Sequence, residues 1–193
     1  MNFEFTLIRH GQTSSNISEK VPSAKADMIV ELTEKGQEQA KETKELIKDD
    51  TFDAIFTSDM KRAQQTAELI FADKYKIQFD ERLREGIVST TEGEFFEYGT
   101  ISKEEFIQMR LNGFETGETF EAQVARIKGF FDEMMTGKYG QKIAIVTHNG
   151  CLRTIHCIFH NKSLREALMM PMAKNCEVIR LNITKDENGI TVK

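Results

Sequence analysis

The chain has 193 residues, and its 26 lysine and arginine side chains against 31 aspartate and glutamate side chains give a formal net charge of −5. This length fits a single domain over residues 1–193, and the acidic balance argues against a nucleic-acid partner, which would need a basic surface. The composition is typical of a globular protein, and no apolar run reaches the ~18–20 residues of a membrane span.

Residues 1–9 contain no basic segment followed by a long apolar run. We therefore expect no signal peptide, no membrane attachment and a cytoplasmic location. The three cysteines, Cys151, Cys157 and Cys176, have no CxxC spacing. This spacing predicts free, mostly buried thiols in a reducing compartment rather than a metal or redox motif.

Hydrophobic periodicity predicts strands that alternate with helices along the chain. The strands are predicted at 3–8, 53–57, 77–79, 142–147 and 176–183, with a hairpin after the last, and the helices at 33–48, 58–71, 119–135 and 151–159. Thr33 and Ser58 are the expected N-caps of the first two helices. This alternation predicts an α/β fold, a three-layer α/β/α sandwich with a mostly parallel sheet. Residues 86–115 lack clean periodicity, and we expect a small cap-like insertion there.

Two of the predicted strands end in a histidine that is closely followed by glycine. These segments are Arg9-His10-Gly11 and Thr147-His148-Asn149-Gly150, and Arg62 lies near the start of the helix that follows the strand at 53–57. Ligands of α/β proteins bind beyond the carboxyl ends of the strands. Arginine forks, helix N-termini and a neutral imidazole together suit a phosphoryl group. A histidine after a strand is more often structural, so the pair of them is the stronger evidence.

Six segments, in order from Leu7 to Arg153, resemble the landmarks of the histidine phosphatase superfamily in its phosphoglycerate mutase-like branch. They are Leu7-Ile8-Arg9-His10-Gly11-Gln12-Thr13 with Asn16, Leu32-Thr33 with Gly36 and Gln39-Ala40, the segment 57–67, Leu83-Arg84-Glu85 with Glu92-Gly93, Gly117-Glu118-Thr119 with Arg126, and the segment 146–150 with Leu152-Arg153.

The resemblance implies a role for each matching residue. His10 is the nucleophile that becomes phosphohistidine, and Glu85 protonates the leaving group and then accepts a proton from water. Arg9, Arg62 and His148 hold the phosphoryl oxygens, and the two arginines should keep His10 neutral. Gln12, Thr13, Asn16 and Asn149 contact the substrate. The resemblance implies no metal and no cofactor, and the implied partner is a small phosphorylated metabolite.

The match departs from the family pattern around the proposed acid. Ser89 and Thr91 stand where the family often has glycine and tryptophan, so the acid could also be a neighbouring glutamate: Glu81, Glu92 or Glu94. Asn149 stands where the phytase branch has its aspartate acid, and this favours Glu85. The family's usual aspartate just before the Leu-Thr pair is missing, since residues 29–31 are Ile-Val-Glu.

Mutases of this family are longer and carry an arginine pair in the insertion. Here Lys103 and Arg110 are present without an adjacent pair. The sequence therefore favours a phosphatase, with a mutase and a non-catalytic phospholigand-binding protein as the alternatives. Sugar phosphates, phosphoglycerates, nucleotides and cobalamin-precursor phosphates remain as substrate classes, and the oligomeric state stays open.

Three other patterns receive structural interpretations. His156 and His160 have a spacing that can hold zinc, but core or surface histidines are the expected outcome. The methionines at 169, 170 and 172 are expected to fill the core. The mixed charges of 35–48 are typical of a solvated helix face.

Overall fold

Strand β1 (Asn2–Arg9) lies inside a six-stranded sheet, and both of its edges are paired. It pairs in parallel with β6 (Lys142–Thr147) and antiparallel with β7 (Val178–Asp186). Every residue of β1 from Phe5 to Arg9 is buried. This burial is what a strand covered on both faces requires, and it explains why the clean alternation of the sequence is lost at its carboxyl end.

The structure is a computed structural model, and it describes residues 1–18, 20–21, 27–86, 96–97, 102–112, 117–187 and 189–192. The other strands are β2 (Lys20–Val21), β3 (Ala54–Thr57), β4 (Ile77–Phe79), β5 (Phe96–Glu97) and β8 (Gly189–Val192). The helices are α1 (Ser14–Ser18), α2 (Glu34–Leu46), α3 (Lys61–Phe71), α4 (Lys103–Asn112), α5 (Phe120–Met134), α6 (Asn149–His160) and α7 (Leu164–Met169), with a 3₁₀ turn at Glu81–Leu83.

The strand order of the main sheet is β4-β3-β6-β1-β7-β8. The first four strands are parallel, and β7 and β8 run antiparallel as a hairpin at one edge. Strands β2 and β5 form a separate antiparallel pair. The predicted α/β fold with a mostly parallel sheet is confirmed.

Helices cover both faces of this sheet, because consecutive strand residues point to opposite sides. On one face, α5 and α6 pack on the sheet, and Phe5 and Phe56 meet α5 edge to face. The ring centroids of Phe5 and Phe131 are 5.0 Å apart, and those of Phe56 and Phe130 are 5.4 Å apart. Such aromatic pairs contribute about 0.5–1.5 kcal/mol each beyond the area that they bury. The fully buried Ile8 lies on the opposite face, against α2 and α3.

The helix starts confirm one predicted cap and correct another. Thr33 caps α2, and its side chain accepts a hydrogen bond from the Gly36 N–H. Ser58 does not cap α3, because that helix begins at Lys61 with Met60 as its N-cap residue. The predicted helix at 58–71 was therefore three residues too long, and the Ser58 hydroxyl is used elsewhere.

The methionine prediction was wrong. Met169 and Met172 are 63% and 62% exposed, because Met169 is the last residue of α7 and Met172 follows that helix, and neither belongs to its buried side. The three cysteines are free and buried, as expected. Among the described residues, no helix combines the length and the apolar composition that crossing a membrane would require.

The predicted insertion at 86–115 lies largely outside the described residues. Within it, α4 is described, and its Ile107 and Arg110 are buried. The helix contacts α5 and α7. The description of this segment as a cap stays a prediction.

Candidate active site

The register of the parallel strands brings three chain segments together at one edge of the sheet. Arg9 of β1 is level with Thr147 of β6, and Thr57 of β3 is level with Val146. The backbone ladder continues one residue further, since the His10 N–H donates to the Thr147 carbonyl at 2.9 Å and the Ser58 N–H donates to the Val146 carbonyl at 3.1 Å. His10, Ser58 and His148 therefore follow neighbouring strands.

The His10 ring is buried and held through one of its nitrogens. Its Nδ1 lies 2.7 Å from the carbonyl oxygen of Gly11, and since a carbonyl only accepts, Nδ1 carries the proton. The lone pair is then on Nε2, which accepts a hydrogen bond from the Arg62 Nε–H at 3.3 Å. Burial, Arg62 and Arg9 lower the pKa of His10 well below its ordinary value. This agrees with the expected neutral imidazole, with burial as the largest cause.

Gly11 allows the turn that presents His10. A Cβ at this position would lie 2.5 Å from the carbonyl oxygen of Gly36 in α2. The Gly11 N–H donates to the Thr66 hydroxyl at 3.0 Å, which ties the turn to α3. The glycine after the first histidine is thus required by the close approach of two backbones.

His148 is fully buried beside His10, with 5.1 Å between the two ring centroids. Its Nε2 lies 2.9 Å from the Ser58 hydroxyl oxygen. Its Nδ1 is buried and has no hydrogen-bond partner in the part of the chain that the structure describes. Burial, followed by the charges of Arg62 and its neighbours, lowers the pKa of His148 well below the usual range.

Arg62, in the first turn of α3, is buried and carries an acidic partner that the sequence did not suggest. Its Nη2 donates to the Asp27 Oδ2 at 2.9 Å, and its Nη1 donates to the Asp27 backbone carbonyl at 2.7 Å and lies 2.8 Å from Oδ1. Burial raises the pKa of Asp27, and the nearby Arg62 opposes this rise. An anion that bound to Arg62 from this side would have to compete with the Asp27 carboxylate.

Arg9 and Asn149 both contact the backbone of Ala173. The Arg9 Nη1 donates to the Ala173 carbonyl at 2.6 Å, and the Asn149 Oδ1 accepts from the Ala173 N–H at 3.1 Å. Arg9 is buried with 8% of its surface exposed, and its charge contributes to the lowered pKa of His10. The segment before β7 is therefore part of the wall of the site.

Glu85 follows the 3₁₀ turn at Glu81–Leu83. Its carboxylate accepts hydrogen bonds from the Gly150 N–H at 3.0 Å and from the Gly86 N–H at 2.9 Å. A Cβ on Gly150 would lie only 2.1 Å from the Glu85 Oε1, so glycine is needed for the carboxylate to approach α6. Arg126 of α5 donates to the Glu85 backbone carbonyl at 3.3 Å and is itself paired with Glu118 at 2.6 Å.

The remaining predicted residues lie in the turn after His10 and in α1. The Asn16 Oδ1 accepts from the Thr13 N–H at 3.0 Å and from the Asn175 Nδ2 at 3.1 Å. The Gln12 carbonyl accepts from the Thr33 N–H at 2.9 Å, which ties the loop to the start of α2. Thr13 is buried, whereas Asn16 is exposed at the rim.

Arg9, His10, Arg62 and His148 thus meet in one cluster, and the Glu85 carboxylate is bound to the backbone of Gly150, two residues after His148. Three contributors were missed from the sequence: Asp27, Asn175 and Ser58 as the partner of His148. Asn175 donates to the His10 carbonyl at 3.0 Å, but it is 165 residues away and no local pattern indicates it. Asp27 stands outside every motif, and Ser58 was interpreted as a helix cap.

The cluster combines cationic donors with two neutral imidazoles, a set that suits transfer of a phosphoryl group. Cys151 is a poor rival nucleophile, since burial raises the pKa of its thiol to about 11. The rings of His156 and His160 are 4.3 Å apart. No group of three or more metal-ligating side chains occurs among the described residues.

Comparisons with known proteins place this geometry in a family. The family model for the histidine phosphatase superfamily (branch 1) matches residues 5–192. A Bacillus subtilis (strain 168) protein named uncharacterized phosphatase PhoE is 30% identical over 153 residues, which are 77% of this chain and 73% of that protein.

A Yersinia enterocolitica protein named probable phosphoglycerate mutase GpmB is 31% identical over 155 residues, covering 76% of this chain and 71% of that protein. The solved structure titled mycobacterial hydrolase 1 has the same fold, with a TM-score of 0.84, 19% identity and coverage of 100% of this chain and 96% of that one. The chain belongs to the histidine phosphatase superfamily (branch 1).

Proposed function

We propose that the protein is a phosphatase that hydrolyses a small phosphomonoester through a phosphohistidine intermediate on His10. The observation that carries this proposal is the orientation of the His10 ring, with Nδ1 held by the Gly11 carbonyl and Nε2 beside Arg62. A neutral imidazole in this tautomer has its nucleophilic lone pair where the arginine fork would hold a phosphoryl group.

In the first step, the His10 Nε2 forms a bond to phosphorus while the bond from phosphorus to the leaving oxygen breaks. Arg9, Arg62 and His148 surround the phosphoryl oxygens and stabilise their charge. Because phosphoryl transfer depends mainly on positioning and electrostatics, this cluster supplies most of the rate enhancement.

Glu85 donates its proton to the leaving oxygen in that step. In the second step, a water attacks phosphorus, its proton passes to Glu85, and the nitrogen–phosphorus bond breaks to release inorganic phosphate. One carboxyl group thus acts as acid and then as base. The backbone N–H groups of Gly86 and Gly150 fix the position of this carboxylate, and Gly150 lies two residues after His148.

We assign substrate contacts to Gln12, Thr13, Asn16 and Asn149. The Asn149 Oδ1 is already used by the Ala173 N–H, so its substrate contact comes from the amide nitrogen. We also propose that residues 1–193 form one domain and that 86–115 cover its site. Buried Arg110 of α4 supports this placement, because a Cβ on Gly86 would lie 2.8 Å from its Nη2.

Arg110 also favours a phosphatase over a mutase. The residue is 6% exposed, and its guanidinium donates to the Glu118 carbonyl at 3.3 Å and to the Gln123 side chain. An arginine that is engaged in this way holds α4 to α5 and is not positioned as a second carboxylate-binding group at the surface of the site.

The test is a panel of phosphomonoesters assayed for phosphate release. The phosphorylated protein is also trapped by rapid quenching, and the stability of its phosphoryl group in acid and in base is measured. We expect turnover and a base-stable, acid-labile phosphohistidine in the wild type, and neither in His10→Ala. His156→Ala is the matched control, since it removes an imidazole outside the site, and it should keep both signals. A panel without any turnover would contradict the proposal.

Two further measurements separate the alternatives. Interconversion of phosphoglycerate isomers faster than phosphate release would show a mutase. Tight binding of inorganic phosphate without turnover of any substrate would show a non-catalytic phospholigand-binding protein.

A further inference from the structure

The Ser58 hydroxyl is buried between two groups of opposite hydrogen-bonding character. Ser58 has no exposed surface, and its Oγ accepts a hydrogen bond from the Met60 N–H at 3.3 Å. The second neighbour of Oγ is the His148 Nε2 at 2.9 Å. Within the described residues these are its two hydrogen-bond partners.

This arrangement decides which way the hydrogen bond to His148 runs. The Met60 N–H can only donate, so it cannot accept the hydroxyl proton of Ser58. The one acceptor left within the described residues is the His148 Nε2. Since a buried hydroxyl is rarely left without an acceptor, Ser58 donates to Nε2 and the ring proton of His148 is on Nδ1.

The Nδ1 atom is the buried His148 nitrogen that lacks a partner in the described part of the chain. It belongs to a ring whose centroid is 5.1 Å from that of His10. Its N–H is thus a donor left unsatisfied by the residues that the structure describes, as a group intended for a ligand oxygen would be.

We propose that Ser58 is a positioning residue for the phosphoryl-transfer reaction: it holds His148 in the Nδ1–H tautomer, so that this ring presents a hydrogen-bond donor to the phosphoryl oxygens. The reverse tautomer would turn a lone pair toward these anionic oxygens and would repel them. The lowered pKa of His148, caused mainly by burial, supports a neutral ring for which the choice of tautomer matters. The catalytic part of this inference rests on the proposed phosphatase activity, whereas the tautomer does not.

Two arms test the proposal, with Ser58→Ala and Ser58→Thr as the variants. Long-range ¹H–¹⁵N NMR correlations of the His148 ring report the tautomer directly. We expect protonated Nδ1 and bare Nε2 in the wild type and in Ser58→Thr, which keeps the hydroxyl. In Ser58→Ala we expect the Nε2–H form to appear. Thr154→Val removes a buried hydroxyl that donates to the Gly150 carbonyl and should leave the His148 tautomer unchanged.

In the second arm, kcat/KM is measured for the best substrate of the panel, together with binding of inorganic phosphate. We expect a loss of about 10- to 100-fold in kcat/KM for Ser58→Ala, by analogy with the range found when a partner that orients a metal-binding histidine is removed. We also expect weaker phosphate binding and recovery of both quantities in Ser58→Thr.

An Nε2–H ring in the wild type would overturn the proposal even if Ser58→Ala did not fold. A lower kcat/KM in Ser58→Ala with an unchanged tautomer would also overturn it, because the serine would then act through structure alone. If the protein had no phosphatase activity, the NMR arm would still test the tautomer. Failure of the proposed function can therefore be distinguished from failure of the tautomer assignment.

Discussion

The Asp27 carboxylate lies on the guanidinium that the proposed mechanism needs for phosphate, so removing its charge should tighten phosphate binding. The ion pair joins side chains that are 5% exposed for Arg62 and 17% exposed for Asp27. A phosphate that takes the same Nη atoms first has to displace this carboxylate. The apparent affinity for phosphate is then the intrinsic affinity multiplied by the fraction of molecules in which Arg62 is free of Asp27.

The magnitude follows from the type of bond. Hydrogen bonds to charged groups contribute about 1.5–3 kcal/mol and neutral ones about 0.5–1.5 kcal/mol. Asp27→Asn removes the negative charge and keeps a hydrogen bond from the charged guanidinium, so we expect the competing interaction to weaken by about 1–2 kcal/mol. Inorganic phosphate should therefore bind about 5- to 30-fold more tightly to Asp27→Asn than to the wild type.

Isothermal titration calorimetry with inorganic phosphate measures this difference. Asp50→Asn is the matched control, because Asp50 pairs with Arg180 outside the site and its loss changes the net charge equally. The advantage of Asp27→Asn should shrink as the pH falls through the raised pKa of Asp27, since the wild-type carboxyl then loses its charge. Equal or weaker phosphate binding by Asp27→Asn would refute the reasoning.

Two further predictions concern the glycine beside Glu85 and the buried histidines. Gly150→Ala places a Cβ 2.1 Å from the Glu85 Oε1, so steady-state kcat should fall about 100-fold because the carboxylate is displaced. Gly129→Ala is the control, since its Cβ meets nothing within 4 Å, and it should keep kcat. The pKa values of His10 and His148 are lowered below 6.5 in the fold, so the unfolded chain binds more protons below that pH. The contribution of these histidines to the free energy of unfolding is then fully present above pH 6.5, and it is lost as the pH falls, by up to about 1.4 kcal/mol per pH unit for each histidine. Urea unfolding between pH 5.5 and 7.5 measures this slope. A wild type without the slope, or a His10→Gln variant with the same slope, would contradict the prediction.

The strands and the main site cluster were accessible from the sequence because their signals are local. Strand β6 is a short, nearly all-apolar run, and buried parallel strands have this pattern. The histidines at 10 and 148 follow such strands directly, and the order of strand ends in a parallel sheet brings them to one edge. A local pattern together with one topological rule was thus enough to place them.

The residues that were missed depend on contacts between distant segments. Serine is a residue type that often caps helices, but the Ser58 hydroxyl forms a hydrogen bond with a histidine 90 residues away. This tertiary contact outweighs the local preference for capping. Asp27 reaches Arg62 from a segment without periodicity, 35 residues earlier. Met172 was predicted to be buried because it is apolar, but it lies on the surface after α7. The apolar character of a side chain does not by itself indicate where the chain places it.

The central place of β1 has a consequence for how the molecule is made. Its residues pair with partners near the other end of the chain, so that Leu7 is level with both Ile145 and Ile179. At about 5–20 residues per second of synthesis, the strand waits roughly 7–28 s before β6 has emerged. During this time an apolar strand has two unpaired edges, and folding is slow because its pairing closes a very long loop. His10, the proposed nucleophile directly after β1, therefore meets His148 late in synthesis, and the proposed phosphatase site cannot assemble before most of the chain is complete.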